Sequence, residues 1–456
     1  MHETYQENFA PQLDDVRAST ALSLSMLLRF GIAVLTISLM VGGGLPQLEM
    51  ALFNGNIPIP IGYDAYLLCI LLGVAVLLET KFSGGGLALP IFLLVAFLLL
   101  DAIHLFFNED VAAIEVIHTY MGFYLTLIIG AGSTILRVRM NERLLTSLII
   151  VVFAISIVIS AMQVITNSAV LPTQSNDQTW VVSSDMFLGG QSQRAFGLFS
   201  SGLGLGLFCS FVGALGASYC RTWKGSLIGL PLLAASAFGC YATLTRVAII
   251  ALICCVVTVF VFSRRHWRRA AIWLPLVWAL VALITVAQAV TGAGNRSETL
   301  ANTDSVNVRF QEWGASILTF ASATPAEQIL GQGIAPGNSN QSGAVQPAKR
   351  FPFPIDNISI VLLSYVGALG VIVTGFFFVM AWLYVYRRAI SGGSHLQIAV
   401  AAFWSTILFA GSFNVTLGPL GALLLVSALC EPKHSERPIQ LSRRYAVCDY
   451  ESYPQL

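Results

Sequence analysis

The sequence predicts an all-α polytopic membrane protein with about twelve transmembrane helices. Both termini face inward, and one long outer loop separates the ninth and tenth helices. Three observations predict this. Hydrophobic residues make up 56% of the chain and charged residues only 10%, against about 25% charged in an average soluble protein. Twelve predominantly apolar segments approach the roughly 20 residues needed to cross a bilayer. The cations are also distributed asymmetrically between alternate loops, as the positive-inside bias requires.

The polar tail 1–22 contains Glu3, Glu7, Asp14 and Asp15 and lacks the pattern of a cleavable signal peptide, so the first apolar run is read as a retained span. Helices one to nine fall within 23–290, near 23–43, 64–79, 86–106, 115–136, 144–165, 196–219, 225–242, 247–263 and 270–290. The outer loop occupies 291–355. Helices ten to twelve fall within 356–431, near 356–386, 396–413 and 416–431, and 432–456 forms an inner tail. The second, seventh, eighth and last segments are short. With the N-terminus inside, the inner loops hold 12 of the 24 cations and the outer loops 6. The inner loops are also the short ones, which makes their excess diagnostic. The eight cysteines lie in apolar runs or near inner ends, so no disulfide framework staples the outer loops. The net charge of +1 gives no sign of a nucleic-acid partner.

Two outer regions are polar. The first, Thr166 to Gln193, is rich in Ser, Thr, Asn, Gln and Asp and contains Trp180, Gly189 and Gly190. The second is the long loop, which bears Arg296, Arg309, Lys349 and Arg350 on the side where cations are disfavoured. Cations on that side point to an anionic ligand. Within the loop, Phe310, Trp313, Ile317 and Phe320 recur at spacings of three and four, predicting a short amphipathic helix against the membrane or over a cavity. Gly331–Gln332–Gly333 and Pro336–Gly337 mark a turn, and Pro352 and Pro354 stop regular structure before the tenth helix.

Several polar residues are candidates for chemistry, each with a plainer alternative. Arg194 stands at the outer mouth of the sixth helix, before Gly197, Gly202, Gly204 and Gly206. A guanidinium there adds to the helix dipole's field on an anion; the alternative is a snorkelling interfacial arginine beside a packing face. Arg246 closes the tight outer turn Thr243–Arg246, where arginine is functional, salt-bridged or an anchor. Arg309 opens the amphipathic helix as a ligand or as a cation neutralised by Glu312. Lys349 and Arg350 suit lipid headgroups, and Arg296 suits solvent. Asp356, with Asn357, begins the tenth helix either as a cap or as a carboxylate able to accept a proton or hold a sugar hydroxyl. None of the six histidines lies in the long loop, and His104 and His118, though near Asp101, Glu109, Asp110 and Glu115, lack a metal-ligand spacing. No phosphate-binding glycine loop with lysine occurs. No metal and no cofactor are expected.

The order of these features resembles the bacterial O-antigen ligase and polysaccharide polymerase superfamily. Arginine and glycines open a middle helix, a tight outer turn ends in Arg246, and a long loop runs from Arg309–x–x–x–Trp313 to Gly331–x–Gly333. The Asp356–Asn357 pair follows, then Gly367 and Gly370; the resemblance covers Arg194 to about Phe376. It implies a lipid-linked glycosyltransferase of the all-helical membrane class (GT-C-like) in the bacterial inner membrane, with its active site facing the periplasm. Members take a glycan from undecaprenyl pyrophosphate. Ligases pass it to lipid A core, and polymerases join it to another repeat unit. By the resemblance, Arg194, Arg246 and Arg309 bind the donor pyrophosphate, and Gly331, Gly333, Trp313 and Asn357 position donor or acceptor. Ligases carry a histidine near the end of the long loop, where this chain has Asp356–Asn357. That departure favours a metal-independent polymerase of the O-antigen, exopolysaccharide or capsule kind, with Asp356 as base and Glu312 as second candidate. The expected partners are donor and acceptor glycans, membrane lipids, a chain-length regulator and a flippase. Rival readings are an O-antigen or protein glycan ligase, a transporter, and a non-catalytic partner in polysaccharide export.

Overall fold

The computed structural model describes residues 26–40, 52, 63–79, 87–108, 124–135, 140–172, 194–199, 201–264, 266–281, 314, 317–331, 358–392, 394–411 and 418–430. Among these the protein is helical, and its one strand-like pairing is an isolated bridge between Met140 and Cys430. The long helices are α1 (Met26–Met40), α2 (Tyr63–Glu79), α3 (Ala88–Asn108), α4 (124–132), α5 (Glu142–Thr166), α6 (Gly202–Tyr219), α7 (Trp223–Ala242), α8 (Arg246–Ser263) and α9 (Ala270–Val281). After them come the short α10 (Pro325–Leu330), then α11 (Ile358–Gly392), α12 (His395–Gly411) and α13 (Gly418–Leu429). Each of the twelve predicted segments thus contains helix. Five helices among the described residues (α5, α6, α7, α8 and most of α11) are long and apolar enough to cross a membrane. The protein is a multi-pass, all-helical membrane protein.

The bundle is built around α6, which is 78% buried over its apolar window. Small residues make that burial possible. In a membrane, helices gain little from hiding apolar surface and associate through close backbone approach and interhelical hydrogen bonds. Gly206 lies so near α8 that an added Cβ would overlap the Ala248 side chain. At the same crossing the Ser210 hydroxyl donates to the Ala248 carbonyl at 2.9 Å. α12 packs on the other side of the α6–α8 pair, with Phe403 edge-on to Phe211 at 6.2 Å. There the Ser405 hydroxyl donates to Thr258 at 3.4 Å. The indole of Trp278 on α9 donates to the same Thr258 at 3.1 Å.

α6, α7 and α8 run up, down and up through short turns, so the bundle has two distinct ends. At one, the Tyr219 ring stacks on His395 at 4.3 Å and the His395 Nδ1 lies 2.8 Å from the Ser218 carbonyl. Those contacts fix where α12 begins. At the other end lie Arg194, the start of α6 and the α7–α8 turn.

Candidate functional site

The sixth predicted helix, 196–219, starts later than expected. Helix α6 begins at Gly202, with Ser201 as its N-cap accepting from the Gly204 amide at 3.1 Å. Arg194 to Phe199 is a non-helical segment that turns at Gly197, where φ is +57°. Arg194 is therefore not in the first turn of the helix. The reason is local: four glycines between 197 and 206 weaken helix nucleation, while a partner on another helix holds the alternative conformation. That partner is Gln163, buried on α5, whose Oε1 accepts from the amides of Phe196 and Gly197, both at 3.0 Å. A side chain at Gly197 would press into the Ser156 carbonyl and the Ser160 hydroxyl of α5.

The folded-back segment returns Arg194 to the helix start through space. The Ala195 amide donates to the Ala242 carbonyl at the end of α7, at 3.1 Å. The Arg194 Cβ lies 3.7 Å from where a Cβ on Gly202 would stand, with the Thr243 carbonyl 3.5 Å from the same point. Arg194, the opening of α6 and the α7–α8 turn are thus neighbours.

That turn holds Arg246. Leu244 adopts φ +52°. The Thr243 hydroxyl donates to the Cys240 carbonyl at 2.8 Å and accepts from the Thr245 amide at 3.3 Å, while the Thr245 hydroxyl donates to the Thr243 carbonyl at 3.1 Å. With its threonines so engaged, α8 starts at Arg246 without a side-chain cap. Arg194 and Arg246 are both exposed.

Two helix starts, α6 and α8, therefore stand side by side with an exposed arginine at each. Opening amides and the dipole favour negative charge at a helix start. The arginines add two full charges and the planar fork suited to phosphate oxygens. The arrangement is suited to holding a polyanion.

The long loop contributes a second feature. Helix α10 opens on a capping box, in which the Thr324 hydroxyl accepts from the Glu327 amide and the Glu327 carboxylate accepts from the Thr324 amide. Its end, Gly331, is buried with φ +91° and seats on α11 where that helix breaks. Gly367 there takes φ +64° and ψ −174°, and an added Cβ would collide with the Ile329 carbonyl and the Gly331 amide. The break is nine residues, about 14 Å of helix, from the start of α11 at Ile358.

Of the residues singled out from the sequence, Arg194 and Arg246 are brought together, and Gly331 ends α10, docked on α11, while the rest of the expected turn, from Gln332 on, lies outside the described residues. Arg309, Glu312, Trp313, Gly333, Asp356 and Asn357 lie outside the described residues. Of the expected amphipathic helix, residues 317–321 are helical, with Ile317 47% and Leu318 71% exposed, as suits a membrane-facing segment. Sequence reasoning missed Gln163, because one glutamine in an apolar run does not reveal what it faces. It also missed α10, although Thr324–Pro325–Ala326–Glu327 reads as a capping box with proline at the first helical position.

Comparison with known families matches residues 231–378 to the family described as O-antigen ligase. The matched segment holds most of α7, the Arg246 turn, α8, α9, the long loop with α10, and α11 past Gly367. It supports the O-antigen ligase and polymerase superfamily and indicates glycan transfer of that type. No curated protein matches the chain.

Proposed function

We propose that the chain is a polymerase joining undecaprenyl-pyrophosphate-linked oligosaccharide repeat units at the periplasmic face of the bacterial inner membrane, in O-antigen, exopolysaccharide or capsule biosynthesis. The observation behind this reading is the meeting of Arg194, Arg246 and two helix starts at one end of the bundle. A pyrophosphate is a polyanion of fitting chemistry, and it is also the leaving group. As an acceptor sugar hydroxyl attacks the anomeric carbon, the bond from that carbon to the pyrophosphate oxygen breaks and negative charge grows on the departing group. Preorganised guanidinium and amide donors stabilise that charge. In this reading Arg309 joins the pair, and Asp356 takes the hydroxyl proton or orients the hydroxyl through a charge-assisted hydrogen bond. The long loop, anchored by α10 on α11, covers the reaction and excludes water.

Polymerase is preferred to ligase because the long loop holds no histidine. The ligase reading keeps a place because the matched family is described by that activity, and the deletion phenotype separates the two. Loss of a polymerase leaves single repeat units on the carrier or final acceptor. Loss of a ligase leaves full-length polymer on the carrier, and finding it would move the chain to the ligase class. Asp356→Asn is expected to lower polymerisation far more than stability, since asparagine caps a helix about as well as aspartate. Full activity in that variant would reduce Asp356 to a cap.

Twelve spans and an inward N-terminus belong to the same reading. Single cysteines in a background without reactive cysteines test them. A label near Ser339 is expected to react with an impermeant reagent from the periplasmic side, and one near His266 is not. The reverse pattern would turn the site toward the cytoplasm.

A further inference from the structure

The end of the bundle opposite Arg194 and Arg246 gathers cations from two connections and from α11. The α6–α7 turn holds Arg221, and the first turn of α7 holds Trp223 and Lys224. The α8–α9 linker holds Arg264, Trp267, Arg268 and Arg269, and α11 brings Arg387. The linker is held firmly. The Tyr386 hydroxyl donates to the Arg268 carbonyl at 3.0 Å, and the Trp382 indole donates to the Ile272 carbonyl at 3.2 Å. The Arg268 Nε donates to the Phe262 carbonyl at 2.9 Å, which aims the guanidinium and leaves its terminal amino groups for another acceptor.

Two of these cations oppose each other. Desolvation, and then the charge of Arg268, lower the pKa of the Arg221 guanidinium, with no carboxylate among the described residues acting on it. Glu142, at the same end, acts on Tyr219 and His395, and Arg221 acts on His395 as well. α6 and α8 start at the same end and pack closely at Gly206 and Ala248, so their far ends lie together. Arg221 lies just past α6, and the Arg268 guanidinium is drawn back onto Phe262 at the end of α8. Like charges gathered there favour an anion between them.

The surroundings indicate the kind of anion. Trp223 is 89% exposed and Trp267 55%. Just beyond them the helices turn apolar side chains outward, Leu227 on α7 and Phe260 on α8, with the Arg264 guanidinium over the Phe260 ring at 5.0 Å. Exposed tryptophans and arginines where an apolar belt ends mark the depth of lipid headgroups. We propose that Arg221 and Arg268 jointly bind the phosphate of an anionic phospholipid headgroup, which bridges the α6–α7 turn and the α8–α9 linker, with Trp223 and Trp267 at headgroup level beside it. A lipid bound there ties together the three helices whose opposite ends form the arginine site. The proposal is independent of which glycan is transferred.

The test uses the full chain in nanodiscs of phosphatidylcholine alone and with increasing phosphatidylglycerol. It reads the thermal unfolding midpoint, with native mass spectrometry counting the phosphatidylglycerol molecules retained. The wild type is expected to gain stability with phosphatidylglycerol and to retain at least one molecule. Arg221→Ala/Arg268→Ala is expected to weaken that binding roughly 30-fold, two surface cations' worth of attraction, its response to phosphatidylglycerol being read against its own midpoint in phosphatidylcholine because the Arg268–Phe262 bond is lost in both. Arg221→Gln, a single change on an exposed turn, tests the same site should the double variant express poorly, and should lose part of the gain. An undiminished phosphatidylglycerol effect in these variants overturns the assignment. So does a wild-type gain from inorganic phosphate in phosphatidylcholine discs, which would assign the pair to a soluble anion.

Discussion

Arg194→Ala and Arg246→Ala are each expected to cut glycan transfer by on the order of 10²–10³, leaving little or no polymer while the protein still accumulates in the membrane. Both side chains are exposed, so removing them leaves no buried gap. The backbone bonds that shape their segments, from Phe196 and Gly197 to Gln163 and from Ala195 to Ala242, do not involve the guanidinium groups. A loss of activity therefore reports on the ligand and not on the fold. Arg246→Lys should rescue poorly. It keeps the charge and the helix-start position, but a lysine offers a point charge where arginine offers two parallel donors to phosphate oxygens. Arg309→Ala belongs to the same series as the third proposed donor ligand. The measurement is polymer length and amount in a complemented deletion strain, alongside membrane levels of each variant. Near-normal polymer in all three alanine variants would remove the pyrophosphate assignment. Loss on Arg246→Ala with full rescue by lysine would keep the anion and discard the two-pronged geometry.

The architecture was legible because membrane solvation dictates it. A chain so apolar must close its backbone hydrogen bonds within helices, so the positions of the long helices among the described residues followed from hydropathy, and the uncertainty lay in their ends. The start of α6 shows why. Apolar residues begin at Ala195, ahead of the helix, yet the amides of Phe196 and Gly197 are claimed by a glutamine some thirty residues earlier. A hydropathy profile records where apolar residues are and cannot record which amide another helix has taken. The candidate site was legible in part for a related reason. Arg246 sits in a turn too short to go anywhere but the helix end, so its place followed from spacing alone. Its nearness to Arg194 depends on the close crossing of α6 and α8 at Gly206 and Ala248, a pairing between helices that the sequence does not announce. Gly367 and Gly370 could be noted as glycines in a helix, but only the seating of α10 shows that the first of them marks a break.

That break leads to the second large effect. Gly367→Ala is expected to impair transfer on the order of 100-fold, the scale on which a displacement of about 1 Å remote from the chemistry acts, without unfolding the bundle. Two causes add. The backbone at φ +64° and ψ −174° is open essentially only to glycine and costs a substituted residue roughly 1–3 kcal/mol. The new Cβ would also meet the Ile329 carbonyl and the Gly331 amide, backbone atoms that can yield only if α10 moves away. The cheapest relief is for α11 to straighten into a regular helix and release α10, detaching the long loop from its one described anchor on α11. The core of α6, α8 and α12 does not touch this contact and should hold. Gly375→Ala, eight residues further along the same helix with open space where its Cβ would go, is the matched control. It should keep full activity and gain slightly from the helix preference of alanine over glycine. Limited proteolysis of the long loop supplies the readout that activity alone cannot, since a released α10 exposes residues 317–331 to cleavage sooner than in wild type or in the control. If Gly367→Ala transfers glycan normally and its loop resists protease as wild type does, the seat of α10 on α11 has no part in catalysis, and the loop must be positioned by residues beyond it.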